Sequence, residues 1–207
     1  MSHKLILGCS PWLELAADDW ARSDPHARLT LLPIALDRRY QFDLDCLRDI
    51  DPAAQTAFVA WGPEYLNFQR LELFGELKTR GIKLPPLVHP GAVVSATASL
   101  QENVWVGAMA IIGPRARIGM NVTICPGARV GVGCEVERSA WIGQDARLAD
   151  GAVVGSNTYL GNAVSVAAGV RIGRQSRIDT AEHIAADWKE KSFKIGPSKL
   201  SGEIIRG

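Results

Sequence analysis

The chain has 207 residues, of which 47% are hydrophobic and 22% are charged, and its formal net charge is +1. This size predicts one large or two small globular domains. The near-neutral charge argues against a nucleic-acid-binding surface, which needs a basic face, and no run approaches the ~18 apolar residues of a membrane helix, so we expect no membrane insertion.

The four cysteines, Cys9, Cys46, Cys125 and Cys134, form no Cys-x-x-Cys pair. A zinc site or a disulfide framework is therefore not expected. The first ten residues, MSHKLILGCS, lack the length and the cleavage site of a signal peptide. Free thiols without an export signal predict a cytoplasmic protein.

Strand-like and helix-like segments alternate in the first 86 residues. Strands are predicted at residues 4–8, 27–36 and 56–62, and helices at residues 11–22, 43–50 and 67–81. Pro11 suits the first turn of its helix, with Ser10 as the cap, and Gly81 ends the last helix. This alternation predicts a small parallel α/β sheet.

Ligands of such sheets bind beyond the carboxyl ends of the strands. Gly8, Cys9 and Ser10 follow the first predicted strand, and Trp61 and Gly62 end the third. We therefore expect these residues to form one rim where a ligand could bind.

Aliphatic residues recur every six positions from Val88 to Ile184, 17 times without a miss. A small or β-branched residue stands four positions after each of the first 15, from Ala92 to Ser176, and glycine often follows the aliphatic residue directly. A helix has a period of 3.6 residues, so this pattern excludes one. Six residues make a short strand and a turn, with the aliphatic and small side chains inside and glycine in the turn conformations. The pattern predicts a parallel β-helix of hexapeptide repeats, with about five coils between residues 88 and 178.

The segment from about residue 185 is polar and contains Lys189, Lys191 and Lys194. We expect it to leave the β-helix as a loop or short helix. The predicted organisation is an α/β domain at residues 1–86, a β-helix at residues 87–184 and a tail at residues 185–207, with LPP (84–86) at the first boundary.

The small α/β domain, followed by VHPGAVV (88–94) and hexapeptide coils, resembles the two-domain bacterial nucleotide-sugar acetyltransferases and the related sialic-acid O-acetyltransferases. FVAWG (58–62) and Arg70 lie where that family has comparable residues, and FKIGPSK (193–199) resembles its closing segment. The resemblance covers almost the whole chain. It implies a left-handed β-helix, a homotrimer, acetyl-CoA in the groove between neighbouring β-helices, and a nucleotide sugar against the first domain.

In that family a histidine takes a proton from the sugar amine or hydroxyl, which attacks the thioester. Alignment through GARVGVGC (127–134) puts Val132 at the position of this histidine and Trp141 at that of a second one. Valine accepts no proton, and tryptophan is only a donor. Asp150 follows Val132 by three hexapeptides, which is one full coil, and should stack beside it. We expect it to be either a substitute base or a solvated turn aspartate.

The resemblance also points to Trp141, Asn162 and Thr180 along the CoA groove. Around the nucleotide sugar it points to Gly8, Cys9, Ser10, Gly62 and Cys125. Arg129 and Arg147, also one full coil apart, should stack and could hold CoA phosphates, or form a charged surface.

Two functions stay open from the sequence. One is transfer of an acyl group, such as acetyl, from a CoA thioester to the amine or hydroxyl of a sugar or nucleotide sugar. The other is a non-catalytic protein that binds a nucleotide sugar or a protein partner. A gamma-type carbonic anhydrase needs three zinc-binding histidines, and the middle coils contain no suitable ones.

Overall fold

The computed structural model describes residues 2–36, 41–48, 50–196 and 201–203. Its N-terminal part is a three-stranded parallel sheet flanked by two helices. The elements are β1 (His3–Gly8), α1 (Trp12–Ser23), β2 (Arg28–Pro33), β3 (Gln55–Ala60) and α2 (Phe68–Thr79), with 3₁₀ turns at Asp45–Leu47 and Glu64–Asn67. The strand order is β2-β1-β3. The predicted small parallel α/β sheet is confirmed, but the helix expected at residues 43–50 is only a 3₁₀ turn in its described part.

Strands β1 and β3 of this sheet are buried on both faces, because a helix covers each side. Ile6 and Phe58 pack with Trp20 of α1, whereas Leu7 and Val59 pack with residues of α2. Alternate residues of one strand thus face different helices. This arrangement fixes the carboxyl ends of β1 and β3 side by side.

Helix α1 does not begin as the sequence predicts. Pro11 is its N-cap residue, after a cis Ser10–Pro11 peptide, and no side chain caps the helix. The Ser10 hydroxyl instead donates a hydrogen bond of 2.8 Å to Oε1 of Glu14. The predicted capping role of Ser10 is wrong, because its side chain points along the helix to a carboxylate in the first turn.

Short strands from residue 87 to residue 184 form a left-handed parallel β-helix, as the repeat and the resemblance predict. They are β4 (Leu87–Val88), β5 (Val93–Val94), β6 (Ser99–Leu100), β7 (Trp105–Val106), β8 (Ile111–Ile112), β9 (Arg117–Ile118), β10 (Thr123–Ile124), β11 (Arg129–Val130), β12 (Glu135–Val136), β13 (Trp141–Ile142), β14 (Arg147–Leu148), β15 (Val153–Val154), β16 (Tyr159–Leu160), β17 (Ser165–Val166), β18 (Arg171–Ile172), β19 (Arg177–Asp179) and β20 (His183–Ile184). Every third strand pairs in register, as Ile124 does with Ile142, so the strands line three faces of a prism. The stacking of Arg129 on Arg147 is confirmed.

The aliphatic and small side chains fill the prism, as predicted. Ile124, Ala128, Val130 and Cys134 belong to one continuous buried cluster. Burial of apolar surface contributes about 25 cal/mol per Å². Stacked coils bury this column between them and are thereby stabilised, whereas a single coil would leave it exposed.

The glycines that follow the aliphatic residues have a different role from the one predicted. None of them has a positive φ. A Cβ at Gly143 would lie 2.5 Å from the carbonyl carbon of Gly161 in the next coil. These glycines therefore allow neighbouring coils to approach closely. Left-handed conformations occur further along each turn, as at Asp145 (φ 55°).

Four left-handed corner residues form a polar ladder between the two parts of the chain. The ladder consists of Asn103, Asn121, Ser139 and Asn157, which recur once per coil and are each 4% exposed or less. Nδ2 of Asn103 donates to Oδ1 of Asn121 (2.8 Å), whose Nδ2 donates to Oγ of Ser139 (3.0 Å). The backbone N–H of Val59 donates to Oδ1 of Asn103 (2.8 Å). The ladder thus hydrogen-bonds one edge of the β-helix to strand β3.

The tail continues the β-helix and does not leave it, so the expected loop or short helix is wrong. Strand β21 (Ser192–Ile195) pairs in parallel with β19, and β22 (Ser201–Glu203) pairs antiparallel with β21. Trp188 bridges to Ile172, at a spacing shorter than one full coil. The backbone groups of the last coil need partners, and the tail supplies them even though its hydrophobic period has ended.

Candidate functional site

A pocket of about 430 Å³ opens between α1 and the face of the β-helix that carries β7, β10, β13 and β16. We call it the tryptophan pocket. Its lining residues are Trp12, Leu15, Asp19, Pro63, Trp105, Gly107, Ala108, Thr123, Ile124, Cys125, Pro126, Trp141, Gln144, Tyr159 and Asn162. This volume lies within the range of small-molecule sites.

Indole rings form the inner wall of this pocket. The ring of Trp12 lies edge-on to Trp141, with centroids 5.0 Å apart, and edge-on to Trp105, with centroids 6.5 Å apart. Trp105 in turn contacts Phe58 of β3, at 5.9 Å. Edge-to-face packing of this kind is favourable and rigid, so the wall is preformed before any ligand binds.

A buried guanidinium stands behind the pocket. Arg70 of α2 is 0% exposed and donates hydrogen bonds to the carbonyl oxygens of Val59, Asn103 and Asn121 and to Oγ1 of Thr123. Burial lowers the pKa of Arg70 to about 9, so it keeps its charge at neutral pH. Because the oxygen of Thr123 accepts from Arg70, its hydroxyl hydrogen is free to donate towards the pocket.

Burial also affects the two weakly acidic groups of the pocket. It raises the pKa of the Cys125 thiol to about 12, although the nearby Arg70 opposes the change. Burial, followed by the carboxylate of Asp179, raises the pKa of the Tyr159 phenol. Both groups are therefore protonated at neutral pH and can donate hydrogen bonds there.

Asp19 is a pocket residue that the sequence analysis missed. Trp105 Nε1 donates a 2.8 Å hydrogen bond to its Oδ2, and its Oδ1 lies 4.0 Å from Nε2 of His89. Burial raises the pKa of the Asp19 carboxyl. The sequence did contain a signal for Asp19. Trp12, Leu15 and Asp19 have the spacing of one helix face, so a single carboxylate is expected on an otherwise apolar face.

The expected rim of the sheet lies next to this pocket. The N–H of Cys9 donates to the carbonyl oxygen of Ala60 (3.3 Å). A Cβ at Gly8 would lie 1.8 Å from that oxygen, and one at Gly62 would lie 2.3 Å from Nε1 of Trp12. Gly8 and Gly62 thus allow β1, β3 and Trp12 to pack closely, while Ser10 is exposed at the start of α1.

The predicted coil residues are only partly brought together. Cys125, Trp141 and Asn162 all line the tryptophan pocket. Thr180, one coil beyond Asn162, is not a lining residue, and its hydroxyl donates to Oε1 of Glu182 (2.8 Å).

Asp150 does stack on Val132, as their spacing of one full coil predicts. The backbone N–H of Val132 donates a 2.8 Å hydrogen bond to Oδ1 of Asp150, which is exposed and does not line the tryptophan pocket. Asn162 accepts from the N–H of Gln144 in the same way, at 2.9 Å. One carboxylate oxygen of Asp150 therefore bridges two coils.

Among the described residues, no three His, Cys, Asp or Glu side chains converge as metal ligands would. In the same part of the chain, none of the helices is long and apolar enough to span a bilayer.

The bacterial transferase hexapeptide (six repeats) family model matches residues 97–131. No curated protein sequence matches the chain. The residues matched by the family model lie in the first coils of the β-helix.

Solved structures share the whole fold. A histidine-to-asparagine mutant of perosamine N-acetyltransferase from Caulobacter crescentus, in complex with CoA and GDP-perosamine, superimposes with a TM-score of 0.82 at 24% identity, over 98% of this chain and 97% of that one. The acetyltransferase domain of PglB from Neisseria gonorrhoeae, in complex with acetyl coenzyme A, gives 0.82 at 19% identity, over 97% and 98%. The chain therefore carries the bacterial transferase hexapeptide repeat, within a fold that it shares along nearly its full length with these acetyltransferases.

Proposed function

We propose that the protein transfers an acyl group, acetyl in the simplest case, from a CoA thioester to an amine or hydroxyl of a nucleotide sugar. The observation that carries this proposal is the tryptophan pocket, formed where the rim of the α/β sheet meets the β-helix. Its flat indole walls suit the apolar face of a sugar ring, and its polar side chains can fix the hydroxyl groups. Proteins of the same fold bind CoA and GDP-perosamine in the comparison structures, which supports this ligand pair.

In this proposal acetyl-CoA is the acyl donor and contacts Trp141, Asn162 and Thr180. The nucleotide sugar contacts residues of the sheet rim and the first coils: Gly8, Cys9, Ser10, Gly62 and Cys125. The hydroxyl of Thr123 and the thiol of Cys125 would act as hydrogen-bond donors, since neither is ionised at neutral pH. Two carboxylates are candidate bases: Asp150, beside Val132, which the sequence suggests, and a second one in the tryptophan pocket, which is argued for below.

We also propose that three copies assemble and that the protein works in the cytoplasm. Val93 and Ile111 are paired on adjacent strands of one β-helix face, and their side chains are 64% and 40% exposed. Met109, near Ile111 in the sequence, is 70% exposed. Such a patch favours a subunit contact. The four cysteines are free, as expected in a reducing compartment. Light scattering should give the mass of a trimer.

The proposed domain boundaries are those expected from the sequence, at residues 1–86, 87–184 and 185–207. The polar ladder and Arg70 join the first two parts closely. Limited proteolysis of the folded protein should therefore not separate the α/β part from the β-helix.

A non-catalytic role is the second candidate. It is favoured by Val132, a side chain that accepts no proton at the position where the resemblance expects a base. In that case the pocket would bind a nucleotide sugar or a partner protein without turnover.

Calorimetric titration with acetyl-CoA tests the proposal first. We expect one micromolar site per chain, followed by release of CoA thiol when a suitable nucleotide amino sugar is added. Asn162→Ala should weaken CoA binding, whereas Asp150→Ala, which removes a similar bridge between coils outside the pocket, should not. No heat at millimolar CoA would exclude the acyltransferase, and binding without turnover of any acceptor would favour the second candidate.

A further inference from the structure

Asp19 lies on the pocket side of α1, between apolar walls. Its side chain is 19% exposed, and it is the one carboxylate among the described residues that line the tryptophan pocket. The only other titratable lining residues in this part of the chain are Cys125 and Tyr159. Their raised pKa values keep both protonated at neutral pH, so neither can accept a proton.

The two oxygens of Asp19 have different surroundings. Oδ2 accepts the 2.8 Å hydrogen bond from Nε1 of Trp105, which fixes the plane of the carboxylate. Oδ1 lies 4.0 Å from Nε2 of His89, which is beyond hydrogen-bonding distance. Nδ1 of His89 already accepts from the N–H of Gly91 (2.9 Å), so Nε2 carries the proton in the neutral ring. One oxygen is therefore held in place, and the other remains available to a ligand.

The charged groups around Asp19 set its proton affinity. Burial raises the pKa of its carboxyl most strongly, and Asp18 adds to the increase. Trp105, His89 and Arg22 act in the opposite direction. A carboxylate with a raised pKa binds a proton more readily than a solvated one, which is what a general base requires.

We propose that Asp19 is the general base of the transfer reaction, taking the proton that the attacking nitrogen or oxygen of the acceptor loses. This inference rests on the proposed function. As the acceptor atom bonds to the thioester carbonyl carbon, its proton passes to Oδ1 of Asp19. The carbon–sulfur bond then breaks, and the CoA thiolate takes up that proton. The products are the acylated sugar and CoA thiol, and Asp19 is again ionised. With Asp19 as the base, the reaction does not need a histidine at position 132.

Asp19→Asn is the direct test, with Asp18→Asn as the matched control. Asparagine can still accept from Trp105, and Asp18 is an exposed neighbour on the same helix, paired with Arg22. We expect Asp19→Asn to lower kcat about 100-fold or more, with little change in KM or in CoA binding by calorimetry, while Asp18→Asn stays close to the parent protein. Circular dichroism and light scattering of both variants show whether the fold and the assembly persist.

A second measurement detects the proton transfer itself. The activity of the parent protein should fall on the acidic side as Asp19 becomes protonated. Trp105→Phe removes the hydrogen bond that lowers the pKa of Asp19, so this acidic limb should move to higher pH. A purely structural Asp19 would not produce that shift.

The outcomes separate the two proposals. If the parent protein acylates an acceptor and Asp19→Asn keeps kcat within threefold, Asp19 is not the base, and the acyltransferase stands. If the parent protein turns over no acceptor at all, the proposed function and this inference are both wrong. An acidic limb that Trp105→Phe leaves in place would also overturn the role of Asp19.

Discussion

Nη1 of Arg70 donates a 2.7 Å hydrogen bond to Oγ1 of Thr123, which is distant from it in the sequence. Arg70 is fully buried on α2, whereas Thr123 faces the tryptophan pocket from the β-helix. This bond therefore connects the interior of the α/β part to the candidate site. It also orients the Thr123 hydroxyl at the wall of the pocket.

Replacing Arg70 by alanine should destabilise the protein by about 3–5 kcal/mol, because three buried carbonyl oxygens and one hydroxyl each lose a hydrogen-bond donor at once. Urea unfolding of purified protein measures the loss. Arg22→Ala removes an exposed arginine from the other helix and should cost under about 1 kcal/mol. Equal losses in the two variants would mean that these buried bonds contribute little.

Asp150→Asn should leave turnover within about twofold of the parent protein. An amide oxygen can still accept from the N–H of Val132, and this side chain is not part of the pocket lining. Asp150→Ala should cost about 0.5–1.5 kcal/mol of stability, the value of one exposed hydrogen bond. Steady-state kinetics of Asp150→Asn decide the matter, since a loss of 100-fold would identify Asp150 as the base, as its position beside Val132 suggests.

The stability of the protein should depend on Asp19 in a pH-dependent way. Its folded-state pKa is raised above the ordinary value of 3.8, so the folded state binds the proton more tightly than the unfolded state. The stability contributed by that proton is fully present below pH 3.8 and is lost as the pH rises through the raised value. Asp19→Asn should therefore gain stability relative to the parent protein between pH 4 and neutrality.

Urea unfolding at several pH values tests this, with Asp18→Asn as the baseline for removing one negative charge from α1. A stability difference that does not change with pH would show that burial of Asp19 has no energetic cost. A gain in stability together with a loss of turnover is the pattern expected of a catalytic group.

Replacement by alanine should destabilise the protein more at Gly143 than at Gly133. A Cβ at Gly143 would meet the backbone of Gly161 at 2.5 Å, so Gly143→Ala should force the coils apart and cost more than about 2 kcal/mol. Gly133 has a φ of +65° but open space around it, so Gly133→Ala should cost only about 1–2 kcal/mol. Thermal unfolding compares them, and a larger loss at Gly133 would contradict the close-approach role of Gly143.

The β-helix was predictable because Ile124, Ile142 and Leu160 have the same surroundings in successive coils. The same type of residue therefore recurs at the same position of the repeat. The tail was not predictable, because Trp188 pairs with Ile172 at a spacing shorter than one full coil, which breaks that period. The strands of the tail form because the backbone groups of the last coil need hydrogen-bond partners. The residue types of the tail do not indicate this pairing.

The candidate site was predictable in part. Trp141 and Asn162 were expected from the family resemblance, and both line the tryptophan pocket. Asp19 reaches the pocket only because α1 packs against the β-helix, and that contact between two parts of the chain has no periodic signal. The ladder from Asn103 to Asn157 did have one, a polar side chain at the same corner of each successive coil, but it lay outside the apolar columns that define the repeat.

Three of the six tryptophans of the chain, Trp12, Trp105 and Trp141, meet at the wall of one pocket. Indole emission responds to the polarity around the ring, so a ligand that displaces water from this wall would change the intrinsic fluorescence of the protein. Occupancy of the pocket can thus be followed optically in the unlabelled chain, including for ligands that are never turned over.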